Sequence, residues 1–258
     1  MKFQLMHIKK LMLRTIFMVM LSLLMRTECV LAQDPGPINT ERPSFSSSPL
    51  ALTTGLWQIE SGYVYTRNVG SNSSKEQTLP NALLRFGFHP RFELQLNWAG
   101  YSRMTSQGSS TSGLKDASLG VKWQIIADDA PFVAAVFAGV TLPVGDKEFT
   151  SDDYDPEFAV FWTYSGVLEW FGTAKLTESD NKYKIENALG INFSLAQDTG
   201  AYVEYKGTFP EGQGPAHDLN FGVTWLLSND LQVDLNGALG LNKRASDFTL
   251  GTGIAYRF

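Results

Sequence analysis

Gly251-Thr252-Gly253-Ile254-Ala255-Tyr256-Arg257-Phe258 is the stretch on which the fold turns. Side chains alternate faces along a strand. Thr252, Ile254, Tyr256 and Phe258 therefore share one face, and Gly251, Gly253, Ala255 and Arg257 share the other. The first row is mostly apolar and ends in aromatics, while the second is small or charged. A strand with lipid on one side and a polar lumen on the other needs this division. The reading holds only if the rest of the chain repeats it and closes into an even number of strands.

The repeat is present. From Leu56 onward the hydrophobic period is two. The clearest case sets Phe92, Leu94, Leu96 and Trp98 against Glu93, Gln95, Asn97 and Ala99. Another sets Leu219, Phe221, Val223 and Trp225 against Asp218, Asn220 and Thr224. Such segments number about twelve, each of roughly ten residues, the length of a tilted membrane-spanning strand. Short turns such as His89-Pro90-Arg91, Ser165-Gly166 and Ser228-Asn229-Asp230 alternate with longer polar loops at 68–78, 102–113 and 143–156. Among the apolar rows the one charge is Arg67, at a strand end. Trp57, Phe92, Phe132, Trp225 and Phe258 fall toward the short turns, and Tyr65, Trp98, Phe158 and Tyr205 toward the loops. Rings with an apolar body and a polar edge prefer that interface depth. The expected fold is all-β, an antiparallel up-and-down transmembrane β-barrel of about twelve strands. The even count puts both chain ends on one side, and the last strand pairs with the first near Trp57 to Tyr65. A soluble barrel filled by its apolar row is excluded, because this many strands enclose more volume than that row fills.

Composition agrees. Charged residues are 18% of the 258, against roughly a quarter in soluble proteins. The net charge of -5 gives no reason to expect a nucleic-acid partner. Residues 1–32 read as a signal peptide, with Lys2, Lys9, Lys10 and Arg14 before an apolar run and Val30-Leu31-Ala32 at the cleavage point. The apolar run is well short of the ~20 residues that span a bilayer. Cleavage there removes Cys29, the sole cysteine. Residues 33–55 are rich in Pro and Ser and form no regular element. They read either as a linker or as a plug-like segment at the periplasmic mouth, with Glu41 and Arg42 pairing to charges on the wall. Residues 56–258 form the barrel.

The polar rows supply the candidate lumen-lining residues: Glu60, Arg85, Glu93, Lys122, Glu169, Lys175, Glu186, Glu204 and Lys206, joined by Arg42 from the segment ahead of the barrel. Charges enclosed in a barrel must be paired or bathed in water, so they either plug the lumen or line a path. No catalytic residue, cofactor or metal is expected. His89 sits in a turn, and His217, beside Asp218, has no recognisable nucleophile motif to serve. Asp152, Asp153 and Asp155 crowd one loop without the pattern of a calcium loop. The expected partners are outer-membrane lipid, the barrel assembly machinery acting on the closing strand, and a small solute.

Aromatics at the last and third-last positions resemble the carboxy-terminal signal of bacterial outer-membrane barrels. Asn39-Thr40-Glu41-Arg42-Pro43-Ser44-Phe45, followed by Gly55-Leu56-Trp57-Gln58-Ile59-Glu60, resembles the start of a family of bacterial outer-membrane proteins labelled for the meta-pathway of phenol degradation. Leu142-Pro143-Val144-Gly145-Asp146 is similar to its Leu-Pro-x-Gly-Asp loop. Ser44 and Ser46 to Ser48 stand where that family usually carries acidic residues. The resemblance implies a barrel in the outer membrane of a Gram-negative bacterium that passes small hydrophobic or aromatic compounds. The alternatives are a structural or adhesive barrel acting through its outer loops, and an outer-membrane lipid hydrolase using His217.

Overall fold

The computed structural model describes residues 35–69, 73–127, 129–179 and 182–258. The leader expected over 1–32, residues 33 and 34, residues 70–72, Asp128, Asp180 and Asn181 lie outside them. The strands are β1 (Trp57–Asn68), β2 (Ser74–His89), β3 (Phe92–Trp98), β4 (Tyr101–Ser106), β5 (Ser109–Leu114), β6 (Ala117–Gln124) and β7 (Phe132–Leu142). They continue as β8 (Asp155–Ser165), β9 (Glu169–Ser179), β10 (Lys182–Ala196), β11 (Thr199–Pro210), β12 (Ala216–Ser228), β13 (Leu231–Gly240) and β14 (Phe248–Arg257). Neighbours pair in chain order, β14 pairs with β1, and β1 pairs with β2, so β1 to β3 and β6 to β14 make a closed twelve-strand barrel. The closing seam runs from Gln58 opposite Arg257 to Arg67 opposite Phe248. Trp57 and Phe258 exchange backbone hydrogen bonds of 2.9 and 2.8 Å at its foot. Closure gives every wall strand a partner on both sides, which a lipid setting demands. The end carrying Trp57 and Phe258 is called the terminal end, and the opposite one the loop end.

The loop expected at 102–113 is instead the hairpin β4–β5. β2 pairs with β3 through residues 82–89 and with β4 through 74–79, so β4 prolongs β3 and β5 leads into β6 past the loop end of the wall. The break lies at Gly100, whose φ of +86° is one that L side chains rarely adopt, and a Cβ there would collide with the Pro80 carbonyl. Beyond the break the strands are Ser- and Thr-rich, because both faces are wet and no apolar row is required. The loop expected at 68–78 likewise shortens, since β1 reaches Asn68 and β2 begins at Ser74. These extensions correct the reading of the outward face: Lys75 and Arg103 join Arg67 on it, and Glu178 stands on the outward row of β9.

Below them the outward rows are apolar. Trp57 stacks on Phe86 at 4.4 Å and Phe92 on Trp123 at 5.6 Å near the terminal end, and Tyr65 meets Phe248 at 6.0 Å near the loop end. Leu235 lies midway along β13 and is 53% exposed. Replacing it by Arg puts a charge in the middle of the lipid-facing belt, at a cost of about 2–4 kcal/mol. Urea unfolding of the Leu235→Arg variant in lipid vesicles should show that loss; an unchanged midpoint would mean that this face does not meet lipid.

Candidate functional site: a filled half-lumen

The alternation that turns apolar residues outward turns Gln58 and Glu60 of β1, Arg85 of β2, Glu93 of β3 and Lys122 of β6 into the lumen. Glu60, Glu93 and Lys122 are fully buried and Arg85 is 1% exposed. Arg85 forks onto Glu93, Nε to Oε1 at 3.0 Å and Nη2 to Oε2 at 2.8 Å. Its other carboxylate contacts are Glu60 at 3.2 Å and Glu41 at 3.1 Å. Lys122 Nζ reaches Glu41 at 2.6 Å and Glu93 at 3.2 Å. Three carboxylates thus face two cations, and neutral donors complete the set. Gln58 donates to Glu60 at 2.9 Å and Gln95 to Glu93 at 2.6 Å. The remaining donors come from the segment that precedes the barrel.

Residues 38–55 lie against this inner wall. The Glu41 and Arg42 amides donate to the Glu60 carboxylate at 3.0 Å, the Leu52 amide to Glu93 at 2.6 Å, and the Ala51 amide to Gln124 at 3.0 Å. Across the lumen, the Phe45 and Ser46 amides each donate to Glu204 at 2.9 Å, and Asn220 supports that carboxylate at 2.9 Å. Wall donors take the carbonyls: Arg85 that of Asn39 at 2.8 Å, Lys122 that of Ser48 at 2.9 Å, and Tyr202 that of Pro43 at 3.1 Å. An irregular backbone offers no ladder of its own, so each buried N–H and C=O needs a partner from outside.

Arg42 crosses to the closing seam. Its Nε and Nη2 donate to Asp234 at 3.2 Å each. Its guanidinium lies against Gly62 of β1 and Gly253 of β14, which face one another in the register, and a Cβ on either would strike it. Gly87 makes the same allowance for the Leu52 and Thr53 carbonyls.

The flank from β6 to β11 is lined differently. Ala135, Phe137, Ala159 and Phe161 form a buried apolar cluster. The Phe137 ring covers Gly120 and the Phe171 ring covers Gly190. Phe171 meets Tyr202 edge-on at 6.2 Å. Toward the loop end the inward residues are more open. Glu157 pairs with Lys175 at 2.9 Å, and Glu186 with Lys206 at 3.3 Å and Lys184 at 3.4 Å. Lys206 also sits 4.0 Å above the Phe45 ring. The lumen is therefore packed in its terminal half and accessible in its loop half.

Of the residues singled out from sequence, Glu60, Arg85, Glu93, Lys122 and Glu204 converge on residues 38–55, and Arg42 reaches from that segment to the wall. Lys175, Glu186 and Lys206 stand above them. Glu169 is exposed at the terminal end, where it accepts a 2.7 Å hydrogen bond from Asn192. Phe45, Phe137, Phe161, Phe171 and Tyr202 were not singled out. The inward parity of the four wall residues was readable, but β7 and the middle of β8 are apolar on both faces and show no contrast; Phe45, ahead of β1, belongs to no strand and has no parity to read.

Residues 40–258 match the model of the family described as "Putative MetA-pathway of phenol degradation". None of the curated proteins matches the chain. Among solved structures, an outer membrane channel from Pseudomonas putida F1 is similar over 82% of this chain and 98% of its own, at 16% identity and a TM-score of 0.59. The KdgM porin covers 78% of this chain and 99% of its own, at 10% identity and a TM-score of 0.52. The NanC porin gives 78%, 98%, 10% and 0.52. At these identities the likeness shows a shared barrel fold. The family match spans the segment ahead of β1, beginning at Thr40, together with all fourteen strands, and the chain belongs to that phenol-degradation family.

Proposed function

We propose that the chain is a passive outer-membrane channel for small hydrophobic or aromatic solutes, closed at rest by residues 38–52. The observation that carries this reading is the lumen itself: an accessible loop half ends on a floor that includes the Phe45 ring, and the floor is held by hydrogen bonds and ion pairs. The charges lining the upper half balance, Glu157, Glu186 and Asp218 against Lys175, Lys184 and Lys206, so neither sign of ion is favoured. The Phe137, Phe161, Phe171 and Tyr202 flank suits an uncharged aromatic ring. The family's link to phenol degradation supports that solute class. Passage requires the segment to yield, breaking the Arg42–Asp234 and Glu204 contacts. Both described histidines have bland roles that support a channel over an enzyme: His89 accepts the Arg91 amide at 3.2 Å, and His217 meets the Tyr205 hydroxyl at 2.7 Å.

Planar-bilayer recording and liposome uptake of phenol test the reading. The wild type should show a small, intermittent conductance, and the Arg42→Ala, Glu204→Gln double variant a several-fold larger open fraction with faster uptake. Removing residues 102–113 should leave both unchanged. Silence from the wild type and from the loosened variant alike would overturn the proposal. The buried ion network gives a second expectation. Arg85→Met leaves buried carboxylates unpaired and should cost about 3–5 kcal/mol in urea unfolding. Lys175→Met, in the accessible half, should cost no more than about 1 kcal/mol.

A further inference from the structure

Inside the barrel every buried cation is paired with a carboxylate. Among the described residues, three cations on the outward faces of the strands at the loop end are not. Arg67 of β1 stands directly opposite Lys75 of β2. Arg103 of β4 stands opposite Gln77, two residues along β2 from Lys75 and on the same face. Direct cross-strand neighbours have their Cβ atoms about 5 Å apart and diagonal ones about 7–8 Å, and like charges so placed destabilise the pairing. All three are exposed, and none has an ion-pair partner among the described residues. The nearby carboxylates are turned elsewhere. Glu76 faces inward and pairs with Lys115 at 2.6 Å. Asp247 accepts the Val69 amide. The outward faces of β14, β1, β2, β4 and β5 carry no acidic residue.

The depth of the cluster is informative. Tyr65 and Tyr101 lie one step nearer the middle of the wall on the same faces, and Leu79 and Leu114 flank Tyr101 in the register. Aromatic rings mark the interface. The cations therefore stand at headgroup level, directly above a surface that acyl chains can cover. An anion at that level removes the repulsion among them, and an Arg fork matches phosphate oxygens in pairs.

We infer that Arg67, Lys75 and Arg103 form a binding site for the phosphate groups of a phosphorylated glycolipid in the outer leaflet. This rests on the outer-membrane placement proposed above, with the loop end outward. The headgroup's phosphates bridge β1, β2 and β4, and its acyl chains lie along the apolar rows below.

The test uses the full chain, folded in non-ionic detergent and analysed by native mass spectrometry. The probes are lipid A, the same lipid stripped of its phosphates, phosphatidylglycerol and inorganic phosphate. The wild type should retain lipid A. Each cation near an anionic headgroup contributes about fivefold, so the Arg67→Ala, Lys75→Ala, Arg103→Ala variant should bind on the order of 100-fold more weakly. Arg103→Gln alone lies outside the closed ring; it should lose about fivefold and serves if the triple variant does not fold. Lys182→Ala, at the loop end of β10, should bind as the wild type does. Equal retention of lipid A by wild type and variants overturns the proposal, as does equal retention of the dephosphorylated lipid or of phosphatidylglycerol. Displacement by equimolar inorganic phosphate assigns the cluster to free phosphate and also overturns it. Phenol uptake measured after the same preparations are reconstituted into liposomes separates the two claims: intact uptake without lipid binding removes this site alone, and lipid binding without uptake removes the channel reading alone.

Discussion

A chain that crosses the inside of a barrel without regular structure must find a partner for each buried backbone group, and the rest of the lumen is arranged around that need. The wall answers with anions where the segment presents amides and with donors where it presents carbonyls. Glu60 takes the amides of Glu41 and Arg42, Glu204 those of Phe45 and Ser46, and Glu93 that of Leu52. Arg85 and Lys122 take the carbonyls of Asn39 and Ser48. The charges of the inner wall are thus a mould of the segment's backbone polarity. Arg85 and Lys122 each have carboxylate partners, which offsets the cost of burying a charge where water barely reaches.

Size makes the segment necessary. Twelve strands enclose more space than their inward side chains can fill. Here, in the terminal half, one sector is filled by the aromatic rings of β7 to β9 and the rest by residues 38–55. Both solutions depend on glycines in the wall: Gly120 and Gly190 accept rings, and Gly62, Gly87 and Gly253 accept the segment. The segment's partners come from β1, β2, β3, β6, β11 and β13, strands far apart in sequence. No single hairpin provides a binding surface for it; only the closed ring does.

The barrel was legible because lipid and lumen make opposite demands on alternate residues, as Phe92 to Trp98 shows in seven positions. Where that opposition stops, legibility stops. Beyond Tyr101 and Leu114 the β4–β5 hairpin has both faces wet, and its Ser-Thr sequence looks like a loop. The apolar inner flank is the converse case, with both faces of Phe132 to Leu142 poor in polar groups. Glu60, Arg85, Glu93 and Lys122 could be assigned to the lumen by parity alone. Their partners could not, since a backbone amide carries no side-chain signature. Arg42's seat between Gly62 and Gly253 depends on the β1–β14 register, which no local pattern displays.

The arrangement also bears on how a closed lumen could open. Glu41 and Arg42, the charged residues of the segment, cancel one another. Withdrawing them would leave the net charge of the wall as it was: Glu60, Glu93, Glu204 and Asp234 against Arg85 and Lys122. What the wall would lose is hydrogen-bond donors, together with one counter-ion of each sign, Arg42 from Asp234 and Glu41 from Arg85 and Lys122. Water supplies donors of the same kind, and exchanging a protein amide for water changes the free energy of a hydrogen bond far less than leaving the acceptor bare. The segment can therefore leave only as water enters, and the step that frees the lumen is the same step that hydrates it.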